Sequence, residues 1–441
     1  MRDFERRVER GESDALGELR AALEAARGPL IEELPDGRHL VTFVYIGEAE
    51  RVAVDSHLFL ATPQADPYMR RVPGTQVWHR SIEVADDRLS VTYRFLVNSR
   101  TAGMTVREIE EMTQTQQGHT RYAEDRHLSC RHDPYNPDRI KLDGRITFAN
   151  DPEVLKRVND IEELVRWDSV LTLPNAPRNP TLFDGEAVPE GRLTTHTLPS
   201  ATFGDERQIT VYRPAASPPE RQAYSLLLVL DGPGAISMGV PELLDRLAAR
   251  NRIRPTLAAF VHNKNSWSRS VEMVCNPKLA EQYGDEILPW LREHYPVTED
   301  PARTVVSGGS YGGLGSAWLA HSRPEQFGNV LSLSGSYWWG LRTAYDPTDT
   351  PIYGYDDEPE WLTRQYAQTA RRDVRFFLAA GTLENQNLPG GITLLSANRH
   401  LRTVLQAKGY DVRYHEFHGG HDRAGWRSAF FEGLQQLLAP A

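Results

Sequence analysis

Cysteine is almost absent from this chain. Its 441 residues include only Cys130 and Cys275, too few and too far apart for a disulfide framework or a thiolate zinc site. Long apolar runs are missing as well. No stretch approaches the ~18 uninterrupted apolar residues that mark a membrane span. The opening "MRDFERRVERGESDALGELRAALEAARGP" lacks the apolar core of a secretory leader. Positive charge is in deficit, with 50 Lys and Arg against 60 Asp and Glu and a formal net charge of −10. That balance disfavours non-specific nucleic-acid binding but leaves room for a local basic pocket. These absences together predict a reduced, cytoplasmic protein with no membrane and no nucleic-acid partner. Its oligomeric state has no signature in the sequence.

What is present is a long chain of mixed pattern, too long for one ordinary core, so two domains are expected. Residues 1–30 read as a helical segment, with Leu16, Leu19 and Leu23 at helical spacing. Residues 31–150 turn to strands: "VTFVYI", "VWHRSIEV" and "RLSVTYRFLV". In the last, Leu89, Val91, Tyr93, Phe95 and Val97 alternate with Ser90, Thr92 and Arg94, the pattern of a β-sandwich. Residues 151–190, and the irregular run leading into them from about Arg126, are rich in proline and predict a linker that packs along a surface. From residue 191 to 441, strand-like runs such as "SLLLVLDG", "TLAAFVH", "TVVSGGS" and "VRFFLAAG" alternate with helical runs. This predicts an α/β domain built on a mainly parallel sheet.

One serine stands out in that domain. Ser310 lies in "SGGSYGGLG", at the junction of a strand and a helix, in the pattern G-x-S-x-G. A nucleophile elbow needs small neighbours at that junction so that strand and helix can approach. A phosphate-binding loop would require a G-K-[ST] ending, which is lacking. A serine hydroxyl needs a base, and the base needs an acid; in an α/β-hydrolase they follow in the order serine, acid, histidine. His421, in "FHGGHDRAGW", is the expected base, with His415 and His418 as rivals. Glu384, just past "VRFFLAAG", is the expected acid. Asp422 adjoins His421 too closely, and Asp373 lies at the wrong end of its strand.

The strings "LVLDG", "RSVEMVCN", "SGGSYGGL", "LSLSGSYWW" and "HGGHD", with "DPYNP" and "SVLTLPNAP" upstream, resemble the enterochelin (enterobactin) esterases. These are α/β-hydrolases that open the trilactones of catecholate siderophores. The resemblance runs from about residue 35. It implies a serine esterase acting on a ferric catecholate siderophore, with no cofactor and with iron arriving only as part of that small-molecule substrate. It supports Ser310 and His421 in their roles. It implies that Arg269 meets the anionic siderophore, against the plainer reading of a salt bridge to Glu272. Trp338 and Trp339 offer faces for catechol rings, or else core packing. For the oxyanion hole, Tyr311 offers one N–H. The second must come from Gly232 or Gly234, because Pro233 stands where the family has a residue with an amide proton, and proline has none. Two alternatives stay open at this level: an esterase or acyl transferase for another natural-product ester, and a non-catalytic siderophore-binding homologue.

Overall fold

Two antiparallel sheets stack face to face in the N-terminal part of the chain. In the computed structural model, the described residues are 1–62, 65–104, 106–113, 115–143, 165–177, 187–220, 222–340, 358–386, 388 and 391–440. After the helices Arg2–Glu9 and Ala15–Ala26, one sheet has the order β1 (Leu30–Glu33), β2 (His39–Ile46), β5 (Val77–Val84), β4 (Arg70–Arg71). The other runs β3 (Val52–Asp55), β6 (Ser90–Val97), β9 (Val165–Thr172), β8 (Arg139–Asp143), with β7 (Cys130–Arg131) paired to β6. Their apolar faces share one core: Val41 and Phe43 from the first sheet meet Val54, Tyr93, Phe95 and Leu171 from the second.

β9 and β8 correct the expectation of a linker. Val165–Thr172 pairs with both β6 and β8, so this part of the proline-rich run belongs to the sandwich. Pro134, Pro137, Pro174 and Pro177 fall outside β7, β8 and β9; they bound the strands instead of breaking them. The remainder of the expected linker lies partly outside the described residues. Two helices in this region, Val106–Thr113 and Gln116–Leu128, have no counterpart in the sequence reading.

The C-terminal part is an eight-stranded sheet in the order β10 (Arg192–Ser200), β11 (Asp205–Arg213), β13 (Thr256–Val261), β12 (Ser225–Val229), β14 (Thr304–Gly309), β15 (Asn329–Leu333), β16 (Arg375–Gly381), β17 (Asp411–Phe417). β10 and β11 are antiparallel additions, and the pairs from β13 to β17 are parallel. The central strands are apolar on both faces. Leu226, Leu228 and Val306 pack into one core layer, while Leu227, Val229 and Val305 pack into the other. This is the mainly parallel α/β sheet that the strand–helix alternation predicted, in the form that the resemblance to α/β-hydrolases implied. It gathers the loops after β12, β14, β16 and β17 at one edge of the sheet, where sites form in open α/β sheets.

Candidate active site

Ser310 occupies the turn between β14 and the helix Tyr311–Ser322 with φ 59° and ψ −121°. A non-glycine residue holds such a conformation only where its surroundings impose it. Here the glycines leave the space. A Cβ on Gly308 would lie 2.6 Å from the Gly312 carbonyl carbon, and one on Gly313 would lie 2.6 Å from Ser332 Oγ. The Ser310 amide donates to the Leu333 carbonyl at 2.9 Å, and the Ser310 carbonyl accepts from the amides of Gly313, Leu314 and Ser336 at 3.0–3.1 Å. The Ser310 hydroxyl lies 3.3 Å from that of Ser336.

Glu384 and His421 meet across the sheet edge. Glu384 is 1% exposed. One carboxylate oxygen accepts the Gly381 amide at 2.8 Å, and the other accepts from His421 Nδ1 at 2.6 Å. Two bonds hold the carboxylate, and the carboxylate holds the ring, leaving Nε2 for proton transfer. The rival histidines are engaged elsewhere: His415 lies 3.2 Å from Glu432, and His418 donates to Asp86 at 2.6 Å. Asp422 caps the last helix, Arg423–Leu437, through the Ala424 amide. It also accepts the Thr92 amide at 3.2 Å. Burial pushes its carboxyl up to about 7 despite those bonds.

Trp426 is a residue that sequence reasoning missed. Its ring meets His421 edge-on at 4.9 Å, its indole N–H donates to Ser334 Oγ at 2.8 Å, and it packs against the bare Cα of Gly309. It was visible in "HDRAGW", five residues after the histidine and in the first turn of the last helix.

Arg269 reaches the same cavity, but its Nε and one terminal nitrogen each donate to Asp231 at 2.7 Å. It also lies over the Tyr311 ring at 5.5 Å. Glu272 pairs with Arg207 instead, so the expected Arg269–Glu272 bridge is not the one formed. Gly234 lines the cavity, yet its amide donates to the Asp231 carbonyl at 2.9 Å. Gly232 opens the helix Gly232–Ser237, where no carbonyl of the same helix can accept its N–H. The same holds for Tyr311 at the start of its own helix. Pro233 sits in the first turn, where a missing N–H costs the helix nothing. Trp338 and Trp339 are 6% and 1% exposed, within the main core cluster and off the cavity wall. The structure places them in the core packing that was their other reading.

Ser310 and His421 line one cavity of about 480 Å³ between the two parts of the chain. The sandwich supplies much of its wall, including His57, Arg94 and Arg126. An ion-pair chain crosses it. Asp55 is held by both Arg126 and Arg94, and Asp168 by Arg94 at 2.8 Å and Arg423 at 3.4 Å. Burial works against the charged Asp55, but Arg126 and Arg94 hold its carboxyl well below the ordinary range. Burial, with His421 nearby, pushes His57 down to about 4, so its ring is neutral at pH 7. None of these sandwich residues stood out in the sequence.

Residues 40–182 match the family model described as "Enterochelin esterase, N-terminal", and residues 200–437, more than half of the chain, match the one described as "Putative esterase". The chain belongs to the enterochelin esterase family. Among curated members, the iron(III) enterobactin esterase of Dickeya dadantii is 27% identical over 93% of this chain and 90% of its own. The iron(III) salmochelin esterase of Escherichia coli O6:H1 is 28% identical over 61% of this chain and 63% of its own. The solved ferric enterobactin esterase from Salmonella typhimurium shares the fold with a TM-score of 0.70 at 24% identity, covering 93% of this chain and 96% of that one. The Shigella flexneri enterobactin esterase, solved in the presence of enterobactin, gives 0.69 at the same identity and coverage. The chain is a carboxylic ester hydrolase. Among the described residues no cluster of three or more His, Cys, Asp or Glu is placed to hold a metal, and no helix is long and apolar enough to cross a membrane.

Proposed function

We propose that this chain hydrolyses the ester bonds of a ferric catecholate siderophore trilactone, with Ser310 as nucleophile, His421 as base and Glu384 as the group that orients it. The observation that carries the assignment is the 2.6 Å bond from His421 Nδ1 to a buried Glu384 carboxylate, at a cavity whose wall also includes an elbow serine. In this reading His421 Nε2 takes the proton of Ser310 as its oxygen attacks the ester carbonyl carbon. The amides of Tyr311 and Gly232 receive the oxyanion. The histidine then protonates the departing alkoxide, leaving an acyl-serine. Water, deprotonated by the same histidine, attacks that acyl group and releases the acid. The histidine returns its proton to Ser310 as the acyl bond breaks, so the triad and one water account for every proton and bond and the step needs no cofactor; iron enters with the substrate.

Arg269 in this reading is a positioning residue, bracing the Asp231 turn beside the oxyanion site. Buried, unpaired Cys130 and Cys275 suit a reducing, cytoplasmic setting. The accessory unit extends through β9, and the catalytic unit begins near Gly191. The test is labelling with a fluorophosphonate, followed by mass spectrometry of the products from ferric enterobactin. Labelling lost in Ser310→Ala, with stepwise opening of the trilactone by the parent, is the expected result. An unlabelled parent that leaves the trilactone intact would sink the reading.

A further inference from the structure

A second cavity, of about 670 Å³, lies behind the helix Gly232–Ser237. That helix is the partition between the two cavities. Gly234, Ala235 and Met238 face the Ser310 cavity, while Pro233, Ile236 and Ser237 face the second. This division follows the 3.6-residue period. Met238 and Asn263 touch both, so the cavities adjoin at the helix end.

Their charges differ. In the Ser310 cavity, Arg94, Arg126, Arg269 and Arg423 stand against Asp55, Asp168, Asp231 and Asp422. Only the elevated Asp422 carboxyl, half-neutral near pH 7, leaves any surplus. A ferric tris-catecholate is strongly anionic, and this wall has little net charge to offer it. Among the described residues, the second cavity has Arg139, Lys141 and Arg427 on its wall against Glu242, although Asp138 lies near enough to Arg427 to act on it. Burial pushes His262, also on this wall, down to about 4, so it adds no charge.

The second cavity also has an aromatic wall. Lys141 and Trp167 are direct partners across the antiparallel β8–β9 ladder, so their side chains share one face. Arg139, two residues from Lys141, shares that face too, and its guanidinium stacks over the Trp167 ring at 4.9 Å. A flat aromatic ring beside two cations selects an aromatic anion.

We infer that this second cavity is a subsite for a catecholate group, occupied by a second arm of the siderophore whose ester lies at Ser310. The inference rests on the proposed substrate class and extends it by fixing where the uncleaved part of the molecule is held. Residue 233, the position of the proline, then borders the bound arm.

The experiment is equilibrium titration of the full chain carrying Ser310→Ala, which binds without turnover, using ferric enterobactin as the probe. Adding Lys141→Glu is expected to weaken binding about tenfold, and Arg139→Glu, at an exposed site, serves as the second variant. Titration with 2,3-dihydroxybenzoyl-serine separates the sources. An unaltered single-arm affinity assigns the cavity to the second arm, whereas an equal loss assigns the same catecholate site to free single-arm acid. Ferric enterobactin affinity within twofold of the parent in both variants overturns the subsite. Should the wild-type chain leave ferric enterobactin uncleaved while binding still depends on Lys141, the hydrolysis reading falls and the subsite stands.

Discussion

At the scale of single residues, the triad carries the sharpest expectations. Ser310→Ala and His421→Ala should each lower kcat on an activated ester by about 10⁴-fold or more, because triad members act as a unit. Glu384→Gln should cost less, and circular dichroism should find all three folded. Pro233→Gln tests the oxyanion site. A restored donor would be worth about 3 kcal/mol, or 10²–10³ in rate. Pro233 faces away from Ser310, so kcat is expected to change less than about threefold. A gain of a hundredfold would mean that the N–H of residue 233 is the donor this chain lacks. The serine, acid and histidine were legible because each follows a strand whose pattern is unambiguous. The tryptophans were not. Two aromatics after an apolar strand look the same in sequence whether they face a cavity or a core, and only the course of the chain around Trp338 and Trp339 decides. Arg269 was legible as a cavity residue, but its partner Asp231, 38 residues away, was not.

At the scale of elements, the loop from β17 to the last helix is clamped by the N-terminal sandwich. The Ser90 amide donates to the His418 carbonyl at 2.9 Å, His418 pairs with Asp86, and Thr92 binds Asp422. A Cβ on Gly420 would lie 2.3 Å from His57 Cβ. The glycines of "HGGH" therefore make room for the sandwich as well as for a turn. Ser90, Thr92 and Arg94 read as the polar, outward face of β6, and alternation cannot distinguish a face toward water from one toward another domain. The clamp also gives opposed responses to pH. His57, depressed to about 4, binds fewer protons folded than unfolded below its ordinary 6.5, so its contribution to stability is lost as pH falls from 7 to 5, by about 2 kcal/mol. Asp422, elevated to about 7, does the reverse and loses a similar amount as pH rises over that window. The wild-type chain should then vary little in stability between pH 5 and 7 through this pair. His57→Gln should uncover the Asp422 trend, with chemical denaturation giving lower stability at pH 7 than at pH 5. A wild-type-minus-variant difference that stays constant across those pH values would remove His57 from the account.

For the whole molecule, the cavity belongs to both halves of the chain. A truncation beginning near Gly191 discards His57, Arg94, Arg126 and Asp168 from the wall. It also frees the loop that carries His421. A fragment that lost only this part of the wall would keep its activity on small esters. The clamp predicts a broader loss: kcat on a nitrophenyl ester should fall at least tenfold, and adding the separate sandwich in trans should restore part of it. Full small-ester activity in the fragment would mean that the loop holds its shape unaided.

The clamp also bears on how the chain becomes active. Asp86 and His418 are 332 residues apart, and Thr92 and Asp422 are 330 apart. Contacts of such separation form late, after the loop-closure entropy between them has been met. A growing chain completes its sandwich long before the last helix leaves the ribosome. The histidine loop is thus the final piece to arrive, and it meets a surface already waiting for it. In refolding from denaturant, both halves start together, and esterase activity should return more slowly than the helical signal.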